Sequence, residues 1–299
     1  VAANTPEPAF ELLGQSNAFV VRPFGFDLDF DDAREGDWLD GGTLDGSNGD
    51  SSYALDEVGS VYVAAGVDFD VQFTAVNWAS ADDADNNGVP DSGANLSNNS
   101  AAPNFGQEST ASTVTLTHSL IEPSGEVSGT LSSTSLVAGD SFTSFSSGVA
   151  SSTLSWDEVG IIDITATLED YLGVTGGDVE GTANNVGRFI PHHFSVNNNN
   201  GAFAAACGVF SYIGQGFTYQ TEPSLTIVAE NGTNGVTANY THPDYQKLTV
   251  ENSNITRDFP VEDSRLGKDV LNELTVATTS ANGAFAAVTT AGEMLYTFN

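Results

Sequence analysis

The sequence predicts an all-β protein: tandem immunoglobulin-like β-sandwich modules, with long acidic loop insertions in the first. Three observations carry this. Apolar residues come in short bursts rich in Val, Ile, Thr, Phe and Tyr, separated by Ser, Asn, Asp and Gly, as in many short strands joined by turns. Hydrophobic residues make up 39% of the 299, enough for two cores, yet no apolar run has the length of a membrane span. Finally, the chain echoes itself three times in the same order.

The first echo pairs "VVRPFGFDL" (20–28) with "GRFIPHHFSV" (187–196), setting Pro23 and Phe26 against Pro191 and Phe194. The second pairs "AGVDFDVQFTAVN" (65–77) with "GQGFTYQTEPSLTIVAEN" (214–231). The third pairs "NSAAPNF" (99–105) with "NYTHPDY" (239–245). From Pro23 to Asn99 is 76 residues, but from Pro191 to Asn239 only 48, so the first module carries extra loop. That loop falls at residues 29–54 and at "DDADNNGVPDSG" (82–93), and insertions in a sandwich normally sit at strand ends, where binding concentrates.

Taken in order, alternation predicts strands at 19–28, 59–65, 68–78, 111–119, 124–132 and 159–168 of the first module. In the second they fall at 187–196, 208–213, 224–229, 246–251 and 283–297, with one helix candidate at 267–274. "WDEVGIIDITATL" (156–168) reads as a corner into a late strand, and "LDEVGSVYVAA" (55–65) repeats that design. The joint is expected near 173–187, dividing the chain into an N-terminal segment 1–18, a first sandwich 19–185 and a second sandwich 186–299 that is either short or truncated. With no initiator Met, no signal peptide and a strand-like end at "GEMLYTFN", the sequence reads as a piece of a longer chain.

Forty acidic residues against seven basic ones give a net charge of −33, which repels phosphate backbones and anionic lipid and attracts cations. Nucleic acid and membrane insertion are not expected partners. Residues 1–185 hold thirty acidic and two basic side chains, residues 186–299 ten and five, so the acidity belongs to the first module.

From Asp83 the second insertion reads D-A-D-N-N-G-V-P-D. Calcium takes six to eight oxygen ligands, which alternate carboxylates on a turning backbone supply. Asp83, Asp85, Asn87, the Val89 carbonyl and Asp91 form the expected ligand set, with Gly88 at the sharp turn. Position 12 is Ala94, so the loop departs from an EF-hand and looks like the loops of thrombospondin type 3 repeats. The alternative is a solvated turn. Asp82 and Asn86 would stand behind the ligands, and the nine carboxylates from Asp27 to Asp50 read as a solvated loop with room for a weaker second cation.

Elsewhere the chemistry is sparse. His192 and His193 are expected on opposite strand faces, while His118 and His242 are isolated; all four read as structural. Cys207, the only cysteine, is expected to pack as a small hydrophobe, or else to pair outside the chain. "PDSG" (90–93) resembles the D-[ST]-G of aspartic proteases, but no second copy exists to share the proton. Trp38, Trp78 and Trp156 are scattered singly and read as core or loop anchors. No enzyme is expected.

The order "FVVRPFGF", "AGVDFDVQFTAVNW", "DDADNNGVPDSG", "NNSAAPNFGQE", "WDEVGIIDITATLEDYLG", "VGRFIPHHF", "CGVFSYIGQGFTY" and "NYTHPDY" resembles the C-terminal domain-of-unknown-function region of MshQ, from the MSHA type IV pilus system. The resemblance runs from about Phe19 to Asn299. It implies an extracellular, surface-exposed bacterial protein in adhesion or pilus assembly, whose partners are other pilus or surface subunits, or a glycan or host surface. No catalytic residues come with it. The rival expectation is a carbohydrate-binding or glycan-active module using the two insertions.

Overall fold

The computed structural model describes residues 19–30, 61–133, 141–142, 145–216, 218–248, 283–286 and 290–298. The expected helix at 267–274, Trp38 and most of the acidic run to Asp50 lie outside them. The described residues are all β, without α-helix: β1 Gly25–Phe30, β2 Asp68–Val76, β3 Val114–Glu122, β4 Leu131–Ser133, β5 Ser141–Phe142, β6 Val149–Trp156, β7 Gly160–Leu168, β8 Val179–Phe189, β9 His193–Asn199, β10 Ala202–Phe203, β11 Tyr219–Thr221, β12 Ser224–Glu230, β13 Gly283–Phe285 and β14 Glu293–Phe298. No helix among these residues is long and apolar enough to cross a membrane.

Two antiparallel sheets, β1-β2-β6-β4 and β5-β3-β7-β8, share one core and make the first sandwich. The reason lies in the alternation. In β2, Phe69, Val71, Phe73 and Ala75 turn inward while Asp68, Asp70, Gln72 and Thr74 turn away. Phe26 and Leu28 of β1 meet Ala75 and Phe73 in register, and Trp156 of β6 lies fully buried under the His118 ring at 5.0 Å. Edge-to-face aromatic contacts, Phe26 with Phe105 and Tyr62 with Phe189, add to the burial.

A third sheet, β13-β14-β12-β9, begins the second module, and β10 pairs with β11 in a separate arm. The first two echoes are structural. β9 and β12 pair as β1 and β2 do: Phe194 faces Ala229 and Val196 faces Ile227, where Phe26 faces Ala75 and Leu28 faces Phe73. The order β9-β12-β14-β13 thus repeats β1-β2-β6-β4.

Several expected elements move. The segment read as the joint, 173–187, mostly becomes β8, which runs across the 185/186 division to Phe189 and pairs with β7. Strand β6 was not expected, because its inward positions begin with small Ala150 and polar Ser152. Residues 124–130 form a turn and irregular backbone around Gly125 (φ 81°), and 208–213 lie in the β10–β11 arm with only a bridge from Cys207 to Phe210.

The modules meet through buried polar groups. Glu158 takes the backbone N–H groups of Val159, Ala238 and Asn239 at 2.8, 2.8 and 3.2 Å. The Asn239 side chain bonds the Val127 N–H, the Val127 carbonyl and the Val159 carbonyl, and Asn231 Nδ2 donates to the Asp157 carbonyl. Burial pushes the Glu158 carboxyl above its ordinary range, although its three N–H donors favour the charged form.

Asp27 is also a buried acid, on the outward side of β1, and its Oδ1 has no hydrogen-bond partner among the described residues. Burial, and then the charge of Asp29, raise its pKa from 3.8 to about 6. A pKa raised on folding stabilises the fold below the unfolded value, and that contribution is lost as pH climbs through about 6. A raise of this size corresponds to roughly 3 kcal/mol, which solvent at the open edge cuts to ~1–2 kcal/mol. Asp27→Asn is therefore expected to stabilise the protein at pH 7 and not at pH 4, read from urea midpoints across that range. A gain that is the same at both pH values would refute the assignment.

Candidate metal centre

The second insertion is a closed loop. It leaves β2 at Val76 and returns at Ala101, which bridges back to Val76. Asn77 holds the two ends together, its backbone N–H bonding the Ser100 carbonyl at 2.8 Å and its Nδ2 reaching the Ala101 carbonyl at 3.0 Å. Within the loop Asn86 (φ 56°) and Gly88 (φ 79°) adopt left-handed backbone, which curls 83–91 into a tight turn.

Curling brings Asp83, Asp85 and Asp91 together: one carboxylate oxygen from each lies within 4.8 Å of the others. Asp83 is the anchor, only 2% exposed. Its Oδ2 accepts from Trp78 Nε1 at 2.7 Å and from the Gly88 N–H at 3.0 Å, and its Oδ1 from the Asn87 N–H at 2.9 Å. Burial works to raise this carboxyl's pKa, but those donors outweigh it and hold the group below the ordinary range, as an anion. Asp91 Oδ2 accepts the Ala84 N–H at 2.8 Å, and the Asp91 N–H closes the turn on the Asp82 carbonyl at 2.8 Å.

The remaining expected ligands sit differently. Asn87 Nδ2 donates to Asp85 Oδ2 at 3.0 Å while its Oδ1 accepts the Val89 N–H at 2.7 Å, so this amide is engaged inside the turn. Val89 stands exposed beside it. Asp82, only 5% exposed, has a buried Oδ2 without a hydrogen-bond partner among the described residues. Three clustered carboxylates, with no His or Cys among them, are a group that could hold a metal ion through oxygen, the ligand type that hard cations such as calcium take.

Two contacts with partners that spacing does not reveal fix the loop, one from Arg22 and one from Trp78, the latter already read as an anchor. Arg22, one of two basic residues before 186, donates from Nη2 to the Gly88 carbonyl at 2.5 Å. Trp78 clamps Asp83 while half its surface stays exposed. Each lies outside the D-x-D spacing. Leu96 completes the attachment by packing with Phe24 and Val76, and residues 89–94 line a groove with 180–184 of β8.

The other candidates resolve as follows. His192 precedes β9, so strand alternation does not govern it; its Nδ1 lies 3.0 Å from His193 Nδ1 rather than on the opposite face. His193 also contacts Glu230 at 3.0 Å. Cys207 is exposed, not packed, because the 202–221 arm stands away from both cores. Trp156 is a core anchor and Trp78 a loop anchor. Among the described residues the three aspartates are the one cluster with metal-ligand geometry.

Residues 22–155 match DUF6701, second domain, and residues 158–299 match DUF6701, third domain. No curated protein and no solved structure matches the chain.

Proposed function

We propose, for a chain that belongs to the DUF6701 family, a mechanical role at a bacterial cell surface: a calcium-braced, non-catalytic adhesion or pilus-associated component. The observation that carries it is the convergence of Asp83, Asp85 and Asp91 on a loop pinned by Arg22 and Trp78. Sandwich strands carry load along their hydrogen-bonded ladders, and an ion in this loop would fix a long insertion whose ordering otherwise costs conformational entropy. The unpartnered carboxylate oxygen of buried Asp82 supports a cation nearby, since a buried polar atom is costly without a partner. The buried polar junction through Glu158 and Asn239 supports the same reading, because it restrains bending between modules. The resemblance of the motif order to MshQ supports an MSHA-like type IV pilus as the setting, with other surface subunits or a glycan-bearing surface as partners.

Calcium at about a hundred times its Kd is expected to stabilise the protein by ~2.7 kcal/mol, a rise in Tm of several degrees that EDTA reverses. Asp83→Asn should abolish the response. A melting curve indifferent to calcium in the wild-type chain would remove the site.

A further inference from the structure

We propose that His192 and His193 form a second metal site, a two-imidazole chelate for a borderline transition ion, with copper(II) held tightest. The site rests on neither the calcium nor the pilus reading. Adjacent histidines on one strand face apart, but His192 lies just before β9 and escapes that alternation. Its Nδ1 comes within 3.0 Å of the His193 Nδ1, with the two ring planes at 89°. An ion ~2.0–2.1 Å from each nitrogen sets them about 2.9 Å apart at a right angle and about 3.4 Å apart at a tetrahedral one. The observed spacing falls between the two. The nitrogens now share a proton, and the ion replaces it once the exposed His192 ring turns.

A carboxylate behind the pair prepares it for a metal. His193 Nε2 lies 3.0 Å from Glu230 Oε2, and Glu230 Oε1 accepts the Ser195 hydroxyl at 2.6 Å. A carboxylate only accepts, so neutral His193 keeps its proton on Nε2 and presents a bare lone pair at Nδ1. This is the carboxylate–histidine–metal arrangement, in which the outer acid fixes the tautomer and strengthens the nitrogen as a ligand. The backbone is fixed by the same residue. His193 stands opposite Glu230 in the β9–β12 register, and the His192 N–H donates to the Glu230 carbonyl at 2.9 Å.

The ligand type selects the ion. Imidazole nitrogen suits copper, nickel and zinc, whereas calcium takes oxygen, and affinity among the divalent transition ions peaks at copper(II). Two side chains, unlike the three aspartates, leave coordination positions open to water or to a donor from outside. A net charge of −33 raises the local concentration of any cation.

The probe is copper(II) chloride, titrated into the whole chain in calcium-saturated buffer. Calorimetry reads the affinity and electron paramagnetic resonance the donor atoms. The tightest equivalent is expected to bind with a Kd of about 10 µM or below, and its spectrum to show two nitrogen donors. His192→Ala, at an exposed position, should weaken that equivalent at least about tenfold and leave the copper-free melting curve unchanged. Asp83→Asn should remove the calcium response and leave copper binding as it was, so the two metal sites fail or stand separately. No saturable binding to about 100 µM, a spectrum with a single nitrogen donor, or an affinity indifferent to His192→Ala would overturn the proposal. Binding lost with His242→Ala instead would place the ion elsewhere, and would overturn it too.

Discussion

A chain that stops at Ser155, where the match to the second DUF6701 domain ends, is expected not to fold, whereas one that stops at Ile190 should fold cooperatively. The family boundary passes between β6 and β7, but the first sandwich does not end there. Its second sheet needs β7 and β8, and ten of the 26 buried residues in its core lie after Ser155, Trp156 among them. Each large apolar side chain left in water forgoes ~1.5–3 kcal/mol, so losing four or five already matches the roughly 5–15 kcal/mol by which domains are commonly stable, and this fragment loses more.

The Ile190 end also keeps the parallel bridge of Ala64 to Ile190 and the Tyr62 N–H on the Arg188 carbonyl at 2.8 Å. Near-ultraviolet circular dichroism and urea unfolding distinguish the two fragments. A cooperative transition in the Ser155 fragment, with native tertiary dichroism, would refute this account of the core. So would failure of the Ile190 fragment to fold while the whole chain does.

Where strands were legible, one face was apolar and large. β2, β7 and β12 alternate Phe, Val, Ile or Leu against polar residues and stand close to where the alternation puts them. β8 was hidden for a physical reason. Its inward positions include Gly181 and Ala183, and its register shifts near Asn184 and Asn185, so it reads as a linker. Those small residues are there because the strand must lie against β1. The same logic hid β6, where Ser152 is buried but satisfied by the Ser133 hydroxyl at 3.0 Å.

The loop fared better, because its geometry is local. Spacing alone brings Asp83, Asp85 and Asp91 onto one turn, whereas Arg22 reaches the turn from 66 residues away. The repeat was legible too, since its matched Pro and Phe residues mark strand starts at β1 and β9. Glu158 was not: one acid in "WDEVG" carries no sign that it will cap the backbone of residues 238 and 239.

Gly181→Ala is expected to cost about 3 kcal/mol, near the top of the range for overpacking, and Gly181→Val to unfold the first module. The added Cβ would fall onto the Phe26 carbonyl oxygen and lie 2.8 Å from the Phe26 Cβ. The obstacle is backbone, so no rotamer change relieves it, and β8 must part from β1. That separation propagates, because the same seam carries Gly25, where a Cβ would meet the Glu180 carbonyl at 3.0 Å and Pro90 at 3.1 Å. Parting the strands therefore pulls on the loop that holds Asp91, and the variant should need more calcium for the same thermal shift. Gly216→Ala is the control: nothing lies within 4 Å of its Cβ position, and it should stay within about 0.5 kcal/mol of wild type. Urea midpoints measure both. If Gly181→Ala were as mild as the control, β1 and β8 would not be in contact, and the seam that closes the first sandwich would be lost with them.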